Sequence, residues 1–281
     1  LASDKLAMKQ RWVEYGVPVP WFVEITSCTE LRRVIRDRGY PLVIKPIDSS
    51  GARGVHPLYE GTDLEYLFER SKSNSPTGRV MVEEYLEGPQ VSTESIVYDG
   101  FFTTPGFSDR NYDMNSLLAP NIIENGGTMP TNLAPDERLD FEVILEKAAR
   151  ALGIVRGVAK GDGVYSTTRG PVMFEMAARL SGGYMSSGLI PVNTGVNIVA
   201  AMLDISVGNN PDLDSLTPRW ERGAALRYFF PPPGELAGVE GIDKVRRQPW
   251  VHALDFYYSC GDYISIPNSH RERFGCFLIE G

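Results

Sequence analysis

The residue types with the most chemical content fall in one short stretch. Two runs that read as strands, Gly161-Asp162-Gly163-Val164-Tyr165 and Pro171-Val172-Met173-Phe174-Glu175, flank Ser166-Thr167-Thr168-Arg169-Gly170, which reads as a hairpin turn. Paired residue numbers in an antiparallel ladder sum to a constant, so a turn centred on Thr168 and Arg169 sets Asp162 opposite Glu175. Directly opposed residues share a face, with Cβ atoms ~5 Å apart. Two carboxylates that close repel each other unless a cation lies between them, and an all-oxygen site suits a hard divalent ion such as Mg2+ or Mn2+. Arg179 comes four residues after Glu175 and can face the same cleft. Its guanidinium can bind carboxylate or phosphoryl oxygens bidentately. Ser181-Gly182-Gly183 then adds a glycine-rich turn. The chemistry suggested is a metal–phosphate site with a substrate clamp, although two acids on a hairpin, taken alone, are more often a solvated face.

Two further constellations bear on that choice. Lys45 ends the apolar run Pro41-Leu42-Val43-Ile44, and the polar loop Asp48-Ser49-Ser50-Gly51-Ala52-Arg53-Gly54 follows. A lysine at a strand end can set an ammonium beside phosphates, and glycines at 51 and 54 let backbone N–H groups turn inward as an anion nest. The order differs from that of a P-loop, in which the lysine follows the glycines at a helix start. The other constellation is Val82-Glu83-Glu84-Tyr85-Leu86-Glu87-Gly88, a strand running into a connector. Free backbone groups there suit the edge of an adenine ring held between apolar walls.

The elements that must position these residues are also marked. Residues 4–15 read as a short amphipathic helix closed by Gly16. Ser27 with Glu30, and Thr62 with Glu65, read as capping boxes opening helices that end at Gly39 and near Lys72. Residues 79–85 and 91–98 read as strands, the second turning at Asp99-Gly100 into Phe101-Phe102-Thr103. Residues 107–130 read as irregular, a length typical of functional loops. Pro135 opens a helix with Phe141, Ile144, Leu145, Ala148 and Leu152 on one stripe, ended by Gly153, and another helix is expected from Gly195 to Ile205. Leu216-Thr217-Pro218 reads as a boundary, and residues 222–281 as a small β-rich module.

With 281 residues, 42% of them hydrophobic, the chain can bury the core of one large or two to three small domains. Its net charge of −8 and lack of any run of like charge argue against a nucleic-acid partner, while a phosphate site needs only local positive charge. Cys28, Cys260 and Cys276 are scattered, which disfavours a disulfide framework or a zinc site and fits a cytoplasmic protein. His56, His252 and His270 are equally scattered and read as structural or surface residues. No apolar run approaches the ~20 residues that span a bilayer, so no membrane partner is expected. The opening LASDKLAMKQ is too polar for a signal peptide, and the lack of an initiating Met suggests that both ends of a longer protein are absent.

The joint order of strand lysine, glycine loop, Glu-Glu-Tyr-Leu connector, paired carboxylates and arginine is more specific than any of its parts. With Asp4-Lys5, Tyr40 to Pro46, Ser50 to Val55, Val82 to Pro89 and Phe174 to Gly183, it resembles the ATP-grasp superfamily over nearly the whole chain. The carboxylate–amine ligase branch is the closest. Arg227-Tyr228-Phe229-Phe230-Pro231 and Gly261-Asp262-Tyr263-Ile264 resemble the C-terminal module of relatives that make amino-acid amides or dipeptides. The resemblance implies an α+β ATP-grasp fold, two α+β subdomains gripping ATP: a lead-in helix and linker at 1–20, a lid subdomain at 21–86, a catalytic subdomain at 87–216 and a β-rich module at 217–281. The family's N-terminal α/β domain would then precede residue 1.

The resemblance also implies roles. Lys5 and Lys45 would bind the ATP phosphates, and the loop at 49–55, with Ser50, Gly51, Arg53 and Gly54, would close over them. Glu83 and the Glu84-Tyr85-Leu86 connector would contact adenine, with Gln90 where relatives often carry a ribose-binding Glu. Asp162 and Glu175 would hold Mg2+. Arg179, with Ser181, Gly182 and Gly183, would hold the substrate carboxylate, and Arg179 and Lys45 would be the catalytic cations. Arg110, Glu124 and Asn193 are further candidates for substrate contact. The implied reaction joins a small-molecule carboxylate to an amine through an acyl phosphate, releasing ADP. Carboxylation or phosphorylation of another acceptor, as in purine-pathway or carbamoyl-phosphate-type relatives, is the rival within enzymes; a decayed ATP-binding protein is the rival outside them. Relatives are often dimers, which leaves a homodimer open. Two departures stand out: Ala177 occupies a position where many relatives place an Asn metal ligand, and Asp162 replaces the more usual Glu.

Overall fold

The computed structural model describes residues 2–281. Helix α1 (Lys5–Glu14) leads in, its first turn capped by Asp4, whose carboxylate accepts the Ala7 N–H at 2.8 Å. The elements β1 (Phe22–Ile25), α2 (Cys28–Arg38), β2 (Leu42–Pro46), β3 (His56–Leu58), α3 (Leu64–Ser73) and β4 (Val80–Glu84) follow. They form an antiparallel sheet in the order β1-β4-β2-β3, with Leu31, Leu67 and Phe68 packed against Leu42, Ile44 and Val82. Ser27 caps α2 as expected, but Glu30 bonds the N–H and hydroxyl of Thr26 rather than reaching back to Ser27. The cap of α3 is Asp63, not Thr62: the carboxylate accepts the Tyr66 N–H, while the Thr62 hydroxyl accepts the Tyr59 N–H in the preceding turn. A charged acceptor is the stronger partner for a helix N-terminus.

The second sheet is built from β5 (Gln90–Tyr98), β6 (Phe101–Asn111), β7 (Gly126–Met129), β8 (Arg156–Ser166), β9 (Gly170–Ala177), β10 (Ala224–Tyr228), β12 (Val251–Phe256) and β14 (Gly275–Glu280). Between these run α4 (Asn115–Leu118), α5 (Pro135–Ala151), a single π-helical turn at Met185–Leu189, α6 (Ile190–Thr194), α7 (Ile198–Ser206) and α8 (Ile242–Arg246). The strands β11 (Gly234–Glu235) and β13 (Tyr263–Ile264) form a separate ribbon. The order is β12-β14-β10-β7-β6-β5-β8-β9. One face is covered by α1 and α5 through Met8, Trp12, Phe141 and Leu145; the other by α6, α7 and the π turn through Leu189, Ile190 and Ile198. Trp12 is fully buried and donates its indole N–H to the Ala148 carbonyl at 3.1 Å, fixing the lead-in helix to α5.

Two expectations are corrected, and the C-terminal module finds its place. Residues 107–130 are not irregular throughout, because β6 extends to Asn111, and α4 and β7 follow within the same stretch. The helix expected from Gly195 to Ile205 is α7, which starts later, at Ile198 with Asn197 as its cap, because Gly195, at φ +75°, closes the preceding α6. The C-terminal residues are β-rich as expected, and their strands continue the large sheet. Ala224 and Ala225 pair with Met129 and Thr128 of β7, and β14 and β12 add on from β10. A free β7 edge would leave backbone N–H and C=O groups unpaired, and these strands satisfy them.

Asp162 does pair with Glu175, by a different route from the one anticipated. Near the turn Ser166 pairs with Gly170, so the ladder centres on Thr168 alone. That register would oppose Asp162 to Phe174 and turn Glu175 to the other face. A bulge between Asp162 and Gly163 takes up one extra residue on β9 and restores the carboxylate pair. The bulged backbone is packed tightly: a Cβ at Gly163 would lie 2.5 Å from the Val172 carbonyl oxygen and 2.6 Å from the Phe141 ring, whereas one at Gly182 would meet nothing within 4 Å. Gly163→Ala is therefore expected to lower the urea unfolding free energy by ~1–3 kcal/mol, and Gly182→Ala to leave it within about 0.5 kcal/mol. Equal effects would mean that the hairpin is not held by this contact.

Candidate active site

The two sheets face each other across a cavity of about 520 Å3, in the size range of small-molecule sites. Its small-sheet wall carries Lys45 and Glu83 on adjacent strands; its large-sheet wall carries Asp162 and Glu175. Lys5 enters from the helix. Its ammonium donates to the Ser49 carbonyl and lies 3.6 Å from Glu175.

Glu83 is buried between two lysines. It contacts Lys45 directly and lies 3.2 Å from Lys9, which is fully buried on α1. Burial pushes the Lys9 ammonium down to about 8, against the opposing pull of Glu83. Burial also raises the Glu83 carboxyl, but Lys45 and Lys9 together hold it below the usual carboxylate range. The carboxylate thus holds Lys45 in the cavity wall. The Glu84 N–H is likewise committed, to the Trp21 carbonyl at 2.9 Å, and its carboxylate pairs with Arg169. Leu86 packs with Val164, Val172 and Phe174 as an apolar wall, beside Tyr85 and Gln90.

Asp162 is ringed by polar groups, of which the sequence reading named only Arg110, and that as a substrate contact. Lys160, two residues earlier on the same face of β8, contacts it; Ser92 across the ladder donates to it; Arg110 lies 3.8 Å away. Burial opposes ionisation, but Lys160 and Arg110 hold the carboxyl well below its ordinary range. Lys160 is the register partner of Ala177, so its ammonium stem lies beside the position of the lost Asn. The period-2 spacing of Lys160 and Asp162 was a usable signal for this contact.

A second missed residue is Glu94. It is fully buried and accepts the Ser181 N–H at 2.6 Å and the Ser186 hydroxyl at 2.5 Å, and so fixes the turn after Arg179. Burial raises its pKa. Arg179, Ser181, Gly182 and Gly183 all border the cavity, and the exposed Arg179 spends one N–H on the Leu180 carbonyl. Ser50, Gly51 and Arg53 border it too, with Arg53 folded back on Ser50. Gly54 does not. It packs against α3 and Pro46, and its carbonyl accepts the Ser71 hydroxyl at 2.8 Å. Arg110 and Glu124 face the cavity as a pair 2.8 Å apart, whereas Asn193 is buried elsewhere against the Arg222 carbonyl.

The sequence model of the carbamoyl-phosphate synthase L chain ATP-binding domain matches residues 4–214, three quarters of the chain. The chain belongs to this ATP-grasp family. A second model, L-amino acid ligase C-terminal domain 2, matches residues 227–281. Among curated proteins, D-alanine--D-alanine ligase of Bordetella avium is 28% identical over 68% of this chain and 60% of its own length. An uncharacterised protein of Sinorhizobium fredii is 27% identical over 97% of the chain. The chain spans 55% of that second relative, about half its length. Among solved structures, L-amino acid ligase from Bacillus licheniformis superposes with a TM-score of 0.82 at 20% identity, over 99% of this chain and 66% of that one. Biotin carboxylase from Campylobacter jejuni gives a TM-score of 0.74 at 19% identity, over 100% and 63%. These likenesses establish the ATP-grasp fold. No helix of the described residues is long and apolar enough to cross a membrane.

The donor set of this ATP-grasp cleft fits a hard divalent cation. Asp162 and Glu175 offer carboxylate oxygens from paired strands, and among the described residues no group of three or more His, Cys, Asp or Glu side chains forms a protein-only cage. Mg2+ characteristically takes one or two carboxylates and completes its shell with water and phosphate oxygens.

The buried lysine yields a test of the electrostatics. Because Lys9 titrates near 8 when folded and at 10.5 ordinarily, the unfolded chain binds more protons between those values, and stability should rise with pH across that window. Relative to Lys9→Met, which lacks this group, the protein should gain up to ~3 kcal/mol between pH 7.5 and 10.5, read from urea midpoints. A constant difference across the window would show that Lys9 is not desolvated.

Proposed function

We propose that the protein is an ATP-dependent carboxylate–amine ligase that activates its carboxylate substrate as an acyl phosphate. The observation that carries this reading is the convergence on one cavity of Asp162 and Glu175, the lysines at 5 and 45, and Arg179. The match of residues 227–281 to the L-amino acid ligase C-terminal model favours amide formation over the carboxylation and carbamoyl-phosphate alternatives.

In this reading a substrate carboxylate oxygen forms a bond to the γ-phosphorus of ATP as the β–γ bridging bond breaks and ADP leaves. An amine then attacks the acyl carbon, expels inorganic phosphate and loses a proton. Lys5, tethered at Ser49, and Lys45, tethered at Glu83, would bind phosphate oxygens in fixed positions, so that little reorganisation accompanies charge transfer. Lys160 and Arg110 keep Asp162 ionised for a divalent ion, and Glu175 would share it. An ion held by Asp162 and Glu175 would supply charge neutralisation at the phosphates. Arg179 would hold the acyl-phosphate oxygens, on a turn pinned by Glu94. The loop around Gly51 would exclude water, which otherwise hydrolyses an acyl phosphate. No protein nucleophile is needed.

The test is ADP release by the full-length protein with ATP and Mg2+, against amino acids and small carboxylates singly and in pairs. Release that requires a carboxylate and an amine together is expected. Glu175→Gln should abolish turnover while leaving nucleotide affinity within about tenfold. Surviving turnover would refute the metal role, and release without any amine would refute amide formation.

A further inference from the structure

Arg273 is a buried cation of the cavity wall that the proposed chemistry leaves unused. It follows a short turn at His270–Glu272, just before β14, and is 6% exposed. Its guanidinium stacks over the Tyr228 ring, 3.8 Å from the centroid. Its Nε has no hydrogen-bond partner, and no carboxylate of the described residues forms an ion pair with it. The neighbouring acid, Glu124, is committed to Arg110 through two bonds of 2.8 and 2.9 Å. Its other neighbour, His270, is held neutral: burial, Arg273 and Arg110 push it down to about 2, and its Nε2 accepts the Glu124 N–H. A buried cation without a counter-charge is costly. A site that retains one and opens it to a ligand cavity is built for an anion.

The position narrows the anion. The Tyr228 hydroxyl abuts the turn that begins at Arg179, since a Cβ at Gly183 would lie 2.3 Å from it. Tyr228 therefore lies between the turn that follows Arg179 and the Arg273 guanidinium. A carboxylate that is to be phosphorylated must leave an oxygen free for phosphorus, whereas one gripped by a guanidinium fork has both oxygens committed. We propose that Arg273, backed by Tyr228, is a recognition site for a substrate carboxylate that does not react, that of an amino acid serving as the amine donor. This rests on the ligase reading above.

The test is calorimetric binding to the full-length protein, saturated with the non-hydrolysable analogue AMP-PNP and Mg2+. The probes are glycine, alanine, leucine, phenylalanine, glutamate and lysine, each beside its α-amide. At least one acid should bind ten or more times tighter than its amide. Arg273→Gln should collapse that ratio to about one while changing AMP-PNP affinity by no more than twofold, and Arg273→Lys should leave an intermediate ratio because it keeps the charge without the fork. Arg273→Gln should also raise the unfolding temperature of the ligand-free protein, since it removes an unpaired buried charge. An undiminished ratio in Arg273→Gln, a wild type that binds no acid better than its amide, or a loss confined to AMP-PNP, which would mark a phosphate contact, would each overturn the proposal. If acids bind through Arg273 but no pair releases ADP, the ligase reading fails and the carboxylate site stands. If paired substrates release ADP but the ratio ignores Arg273, the reverse holds.

Discussion

The accumulation of buried positive charge in one cleft is the constraint on which the rest of this structure depends. The chain is acidic overall, with a net charge of −8, yet Lys5, Lys45, Arg110, Lys160 and Arg273 all line a single cavity, with Lys9 behind Glu83. Desolvated cations repel strongly at short range, and all of these but Arg273 are tied to a carboxylate. Glu83 takes Lys9 and Lys45, Asp162 takes Lys160 with help from Arg110, Glu124 takes the other side of Arg110, and Glu175 approaches Lys5. These ties run between elements distant in sequence. The Lys9–Glu83–Lys45 set joins the lead-in helix to the small sheet, while Trp12 joins that helix to α5 beneath the large one. The geometry of the cleft and the registration of the two sheets are therefore set by the same side chains, and the residual positive charge is what a polyphosphate would neutralise.

Much of this was legible in the sequence because it rests on short-range rules. The side-chain alternation of a strand put Asp162 and Glu175 on one face, and the apolar stripe of α5 was visible from Phe141 to Leu152. Where reading failed, the deciding interaction was non-local. Nothing in Phe174 or its neighbours announces the bulge. The expected register is correct because a misplaced turn centre and an unseen extra residue cancel. The continuity of β7 with β10 depends on a pairing across nearly a hundred residues. Glu94 reads as one polar residue in a strand until Ser181 and Ser186 close on it. Arg273 has no local signal at all, since its significance is the absence of a partner.

The Ala177 position illustrates how a departure from a family pattern acquires meaning only in three dimensions. In sequence it is the loss of one oxygen ligand. In the structure the residue directly across the ladder is Lys160, whose ammonium reaches Asp162. A small side chain on one strand is thus matched by a long cation on the other, and that cation pairs with the Asp162 carboxylate.

The sheet continuity has a practical side. The boundary at which the C-terminal family model begins, residue 227, falls inside β10, which spans Ala224–Tyr228. The unit recognised by sequence comparison and the unit that is hydrogen-bonded in space do not coincide. Cutting or grafting this chain at that boundary would sever a strand midway, bare the edge of β7 and remove the wall of the cleft that bears Tyr228 and Arg273. A chimaera that respects the architecture would have to carry β10, β14 and β12 together with the β6–β7 segment on which they are laid.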